Sequence, residues 1–163
     1  MAFDIIKEAG YNPDEASIRQ GLKNVSKTTG LAGRWQVVDH DPLTVCDNAH
    51  NADGIREVIQ QINNTAFRNL HIIMGVVKEK KLDDILKLLP SEATYYFTKP
   101  SVPRALDENI LQEKANDFNL QGKTFITVEE AYKTARQNAH HQDFIFIGGS
   151  TFVVADFLQY KKD

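Results

Sequence analysis

Along this chain, short unbroken apolar runs alternate with stretches in which apolar residues return every three or four positions. Runs such as "HIIMGVV", "TYYFT" and "FIFIGG" show no polar face, as strands covered on both sides do. "EEAYKTARQNA" carries one apolar stripe, as a helix lying on a core does. The pattern predicts strands at 35–39, 43–47, 70–76, 94–98, 124–127 and 143–148, and helices at 52–63, 81–89, 107–118, 129–140 and 151–160. Strands and helices in alternation build an open α/β sheet of six strands, mostly parallel, with helices on both faces. The first two strands are joined through "DHDP", too short for a helical crossover, so they are expected to pair as a hairpin with one strand antiparallel.

Residues 1–29 read differently. "FDIIKEAG" and "PDEASIRQGLKNV" are two helical pieces broken by "GYNP", and a polar "SKTTG" follows. Met1 is followed by what already reads as mid-helix, which is expected of a piece of a longer protein. No internal repeat and no low-complexity tract occurs.

With 163 residues, 42% of them hydrophobic, the chain suits one domain with a single sizeable core. Nineteen basic residues face 22 acidic ones, and no block of like charge forms, so neither nucleic acid nor an acidic membrane surface is an expected partner. No apolar run approaches the roughly 18 residues that span a bilayer, and "MAFDIIKEAG" lacks a signal-peptide layout. A cytoplasmic, monomeric protein is expected. The single cysteine, Cys46, excludes an internal disulfide and a multi-cysteine metal site; among Leu43, Thr44 and Val45 it reads as a buried, inert thiol.

Neither G-x-G-x-x-G nor G-x-x-x-x-G-K-[ST] occurs. "GKT" at 122–124 imitates the end of a phosphate loop, but Asp117 stands where the leading glycine belongs, and the segment precedes a strand. The chemistry concentrates instead where strands end. In open α/β sheets, ligands sit beyond the carboxyl ends of the strands, and "LTVCDNAHNADGI" places Asp47, Asn48, His50 and Asn51 there. The same residue types also satisfy turn and cap amides, so ligand contact and local structure are both open readings for Asp47 and Asn51. His50 opens a helix and can offer an anionic ligand a hydrogen bond or, protonated, a charge; a plain surface histidine is the other reading.

"GLAGRW" sets Arg34 beside flexible backbone, where a guanidinium can fork onto a phosphate or carboxylate. "MGVVKEKK" offers Lys78, Lys80 and Lys81 to a phosphate or to solvent, and "PSVPRAL" offers Arg104 in a proline-stiffened loop. "GGSTFVVADF" puts Ser150 at a glycine-rich turn into a helix, where its hydroxyl can meet an anion or cap the helix. His40, His71, His140 and His141 have no metal-ligand spacing and read as structural or surface residues.

Taken in order, "GLAGRWQVV", "TVCDNAHNADG", "IIMGVVKEKKLDDIL", "KPSVPRAL" and "FIFIGGSTFVVADF" resemble the C-terminal domain of folylpolyglutamate synthase/dihydrofolate synthase, in the Mur ligase superfamily. The resemblance covers roughly residues 30–160 and is most specific in the pairing of "GRW" with "DNAHN". It implies a Rossmann-like fold over 30–163, with residues 1–29 as the tail of a central ATPase domain and its linker. The implied reaction is ATP-dependent ligation of L-glutamate to a folate or dihydropteroate carboxylate through an acyl phosphate. Arg34 and Asp47 are then ATP contacts, toward the phosphates and the ribose or base respectively, while His50 and Ser150 contact the incoming glutamate. Asn51, Lys78 and Arg104 are secondary candidates, and no residue of the chain supplies covalent catalysis or a metal ligand. The family's phosphate loop and most of its Mg²⁺ ligands belong to its N-terminal domain, so the chain alone is expected to be catalytically silent. One departure stands out: "KEKK" replaces the family's Asp-Lys-Asp-like run, which weakens the implied role of Lys78 and Lys80. Two other classes fit the same residues: the C-terminal domain of a peptidoglycan-type Mur ligase, and a non-catalytic nucleotide- or amino-acid-binding module.

Overall fold

The alternation of runs and stripes is realised in a computed structural model, which describes residues 2–78 and 81–162. It divides into two units, residues 1–32 and 33–163. The first consists of helices α1 (Ala2–Glu8), α2 (Glu15–Lys23) and α3 (Val25–Thr29). The α2 helix opens at Asp14, whose carboxylate accepts a hydrogen bond from the Ser17 amide at 2.7 Å. The α3 helix takes up part of the polar stretch that has no helical pattern in sequence; it stops at Gly30, whose left-handed φ of 70° closes the last turn.

The second unit carries strands β1 (Gln36–His40), β2 (Leu43–Cys46), β3 (Leu70–Met74), β4 (Thr94–Phe97), β5 (Gly122–Thr124) and β6 (Phe144–Gly148). They form one sheet in the order β1-β2-β6-β3-β4-β5, parallel throughout except for the β1–β2 hairpin. Helices α4 (Ala52–Asn63), α5 (Leu82–Leu86), α6 (Glu108–Asn116), α7 (Val128–Asn138) and α8 (Thr151–Tyr160) cover it. The expected fold class is therefore the observed one. Elements differ at their ends, most at β5, which pairs over 122–124 and not over 124–127; Ile126 lies outside the ladder and is exposed. "GKT" is thus itself a strand.

Side chains alternate across the sheet and feed two cores. Val45, Ile72, Met74, Tyr95, Phe97, Phe144 and Phe146 pack with Ile55, Val58 and Ile62 of α4, with α5 and with α6. Cys46, Ile73, Tyr96, Ile145 and Ile147 pack with α7 and α8 on the other face. This is why β3 and β6 read as unbroken apolar runs: all their residues are buried. Each fully buried aliphatic or aromatic side chain contributes about 1.5–3 kcal/mol. Burial also pushes the Cys46 thiol up to about 12, with the neighbouring Asp47 charge adding to it, so it stays protonated and inert.

The distribution of helices fixes where a crevice forms. The chain leaves β2 and β3 toward the face of α4 and α5, but leaves β6, which lies between them, toward the face of α8. Connections departing to opposite faces open a crevice at the carboxyl ends of these strands.

At the opposite edge lies a buried polar network. Asp143 accepts hydrogen bonds from the amide and side chain of Asn69 and from the His140 amide, and stands 3.5 Å from His71 Nε2; His71 Nδ1 is 3.0 Å from the Tyr96 hydroxyl. Burial holds the His71 imidazole below its usual 6.5, outweighing the pull of Asp143. Burial alone would raise the Asp143 carboxyl, but the His140 and Asn69 bonds, with His71, hold it below 3.8. The unfolded chain therefore takes up a proton at His71 before the folded one does, and stability falls as the pH drops below about 6.5; the Asp143 contribution is lost later, below about 4. Thermal unfolding should show a falling midpoint between pH 7 and 5. The slope should flatten in His71→Phe, and an unchanged slope in that variant would assign it to other groups.

Candidate functional site

The "GRW" and "DNAHN" segments meet because Asp47, just beyond β2, is used as a bracket. Its Oδ2 accepts a hydrogen bond from the Trp35 amide at 2.6 Å and its Oδ1 one from the Ala49 amide at 2.7 Å. Its own amide continues the sheet by donating to the Ile147 carbonyl at 3.1 Å. A further bond runs from the Asn48 amide to the Gly33 carbonyl at 2.7 Å. Gly33 adopts φ 70°, and a Cβ there would stand 2.7 Å from the Asn48 side-chain amide, so the close approach requires glycine. Trp35 is held at φ 39°, an uncommon conformation for a bulky residue, and its indole meets Phe144 edge-on at 6.1 Å.

This bracket presents Arg34 outward. Arg34 is exposed and has no ion-pair partner among the described residues. On the other side of Asp47, His50 is exposed and its Nδ1 lies 3.0 Å from the Asn48 carbonyl. A carbonyl only accepts, so Nδ1 carries the hydrogen and, in the neutral ring, Nε2 is the acceptor nitrogen. Asn51 is committed to structure: its Oδ1 caps α4 by accepting from the Gly54 amide at 2.8 Å.

On the neighbouring strand end, Ser150 is buried, and its Oγ caps α8 by accepting from the Phe152 amide at 3.2 Å. Backbone crowds closely here. Gly149 has φ 87°, with its Cβ position 3.0 Å from the Gly75 carbonyl. A Cβ on Gly75 would lie 2.6 Å from the Thr98 carbonyl and 2.9 Å from Val153 Cγ2. Overpacking of this kind costs about 1–3 kcal/mol. Gly75→Ala should therefore lower the urea midpoint with the m-value unchanged, and a midpoint equal to the parent's would show that this turn has slack.

Lys78 is exposed, and its amide donates to the Arg104 carbonyl at 3.0 Å, which ties the loop after β3 to the loop after β4. The Arg104 guanidinium lies over the Phe152 ring at 5.0 Å, beside the first turn of α8. Lys80 lies outside the described residues. The sequence candidates thus fall into two groups: Arg34, Asp47, His50 and Asn51 around β2, and Ser150 with Arg104 at the start of α8.

Three arrangements are not evident from the sequence, although Lys81 is itself a candidate there. Asp156 accepts both the amide and the hydroxyl of Ser101, each at 2.7 Å. Thr98, fully buried at the end of β4, has a hydroxyl without a hydrogen-bond partner among the described residues. Lys81 and Asp84 border the same cavity of about 330 Å³ as His50 and Asn51. Asp156 is far from Ser101 along the chain, a separation that no local motif reports. Among the described residues, no group of three or more His, Cys, Asp or Glu is arranged to hold a metal ion, and no helix is long and apolar enough to cross a membrane.

A family model described as "Mur ligase, glutamate ligase domain" matches residues 33–151. The dihydrofolate synthase/folylpolyglutamate synthase of Buchnera aphidicola subsp. Acyrthosiphon pisum is 28% identical over 164 residues, covering 98% of this chain and 38% of that protein. The solved bifunctional folylpolyglutamate synthase/dihydrofolate synthase of Yersinia pestis c092, complexed with AMPPNP and Mn ion, matches with a TM-score of 0.85 at 25% identity, covering 99% of this chain and 38% of that one. A second such structure, with Mn, AMPPNP and L-glutamate bound, matches with a TM-score of 0.84, again at 25% identity over 99% and 38%. The chain thus spans well under half the length of these relatives.

Proposed function

Because this chain belongs to the Mur ligase family of glutamate ligase domains, we propose that it is the C-terminal domain of a cytoplasmic, monomeric, ATP-dependent ligase that joins L-glutamate to a folate or dihydropteroate carboxylate. In this reading residues 30–163 close on an N-terminal ATPase domain of the same protein, and residues 1–29 are the tail of that domain and the linker. The observation that carries the proposal is the Asp47 bracket, which holds "GRW" against "DNAHN" at the crevice and leaves Arg34 and His50 facing outward on either side.

The residues present suit ATP. Arg34 is a guanidinium without an ion-pair partner among the described residues, able to fork onto phosphate oxygens. Each Asp47 oxygen accepts one amide hydrogen and retains a second acceptor direction, which suits a ribose hydroxyl. ATP, when bound, supplies the phosphoryl group that activates the acceptor carboxylate. This chain's residues bind and orient. His50 Nε2 takes the glutamate side, and the Ser150 hydroxyl with the amides opening α8 holds a glutamate carboxylate. Their contribution to rate is positioning and charge stabilisation. In this reading most of the Mg²⁺ ligands lie on the ATPase domain, and the described residues of this chain contain no group of three or more His, Cys, Asp or Glu arranged to hold a metal ion.

The test is incorporation of labelled L-glutamate by the full-length protein. ATP-dependent labelling of dihydropteroate or tetrahydrofolate is the expected result. Labelling of a muramyl peptide instead, or none with any acceptor, would overturn the reading.

A further inference from the structure

The same topology opens a second crevice. The chain leaves β4 toward α6, on the face of α4 and α5, but leaves its parallel neighbour β5 toward α7, on the opposite face. A bond from the Phe125 amide to the Phe97 carbonyl at 2.8 Å ties the two just before they part. Beyond it the carboxyl ends of β4 and β5 diverge, and ligands of open α/β sheets favour such places. A cavity of about 500 Å³ lies there, a size that suits a small molecule. It shares no lining residue with the cavity at His50.

Its apolar wall is already in place. Pro100 is buried in the loop after β4, and Tyr160 of α8 is steadied by meeting the Tyr132 ring edge-on at 6.0 Å. Ile126, outside the β5 ladder, borders the cavity while 66% exposed, an apolar side chain that the folded chain leaves in water. Of the charged groups at the cavity, Lys99 is paired with Glu108 at 2.9 Å and Glu129 with Lys133 at 2.6 Å. Asp156 has no ion-pair partner among the described residues; its two oxygens are held by the Ser101 amide and hydroxyl. A carboxylate pinned by two neutral donors keeps its charge, a fixed orientation and a further acceptor direction on each oxygen. Two such acceptors side by side fit a planar fork of N–H groups.

We propose that this cavity binds a small planar cation, an amidinium or guanidinium carried on an apolar ring. The fork meets the Asp156 carboxylate, and the ring lies among Pro100, Ile126 and Tyr160. An anion would face the one charge here that has no counter-charge, and a simple ammonium, as a point charge, does not match the paired oxygens. The site uses none of the groups assigned above to ATP or glutamate, so it stands independently of the ligase reading.

The test is an NMR titration of this chain with benzamidine, benzylamine and benzoate, which share a ring and differ in the group it carries. Benzamidine should shift the amides of Ser101, Val128 and Tyr160 saturably and leave those of Ala49 and His50 in place. It should bind about tenfold more tightly than benzylamine, and benzoate should not bind. Asp156→Asn keeps one oxygen for Ser101 but loses the charge and one arm of the fork, and should weaken benzamidine about tenfold. Ile126→Ser changes an exposed position outside the ladder, so the fold is kept while lost apolar contact weakens binding about threefold. The Ile126 variant decides the case if Asp156→Asn displaces the loop. No saturable shift, shifts centred on other residues, benzoate binding as tightly as benzamidine, or parent-like affinity in either variant would overturn the proposal.

Discussion

Replacing Asp47 with alanine should lower the thermal midpoint of this chain by roughly 6–12 °C. The size follows from the bracket. Asp47 is only 7% exposed, and its two oxygens each accept a backbone amide, from Trp35 and Ala49. Removing charge-assisted bonds that leave buried donors unsatisfied costs about 3 kcal/mol, and in a chain of this length each kcal/mol moves the midpoint by about 2–4 °C. The Trp35 backbone adds to the loss: its φ of 39° is sustained by the Asp47 bond and the packing on Phe144. Asp47→Asn should fall between the parent and the alanine variant, because one amide oxygen can replace only one of the two acceptors. A midpoint within 2 °C of the parent's for Asp47→Ala would show that the two amides find other partners. Since the carboxylate holds the loops together, any ligand defect of an Asp47 variant mixes a lost contact with a displaced site. Arg34 and His50, both exposed, are the cleaner probes.

What could be read from the sequence, and what could not, follows from the range of the forces involved. β3 and β6 were legible because burial on both faces leaves an uninterrupted apolar run. The Asn51 and Ser150 caps were legible because a cap and its amide lie within three residues of each other. The end of β5 was not, since "TFIT" has the composition of a strand, while only Gly122–Thr124 find a partner in β4. Residues 25–29 were not, because a five-residue polar helix has no stripe and is marked only by the stop at Gly30. At the site, the position of Asp47 was evident from its place after β2, but its partner in the Trp35 backbone was not. An amide carries no side-chain signal, and this one comes from 12 residues upstream. The sequence therefore reports which residues stand at strand ends, while the fold decides which of them are occupied in holding one another.

The second large effect is a separation of substrates. In the full-length protein, Arg34→Ala should raise the apparent KM for ATP, and His50→Ala should raise it for glutamate. Each loses one charge-assisted contact, which costs about 1.5–3 kcal/mol or roughly ten- to a hundredfold. Neither side chain is buried, so the thermal midpoint of each variant should stay close to the parent's and the kinetic change can be assigned to the ligand. Arg34 stands on the Gly33–Trp35 side of the Asp47 bracket, whereas His50 stands past Ala49 with its Nδ1 tied to the Asn48 carbonyl. The bracket fixes two separate faces, and two ligands should therefore be lost separately. Steady-state kinetics of the two variants, with ATP and glutamate varied in turn, tests this most directly. The account predicts at least a tenfold rise in KM for ATP alone in Arg34→Ala and for glutamate alone in His50→Ala. Equal effects of each substitution on both substrates, or parent-like kinetics in both variants, would contradict it.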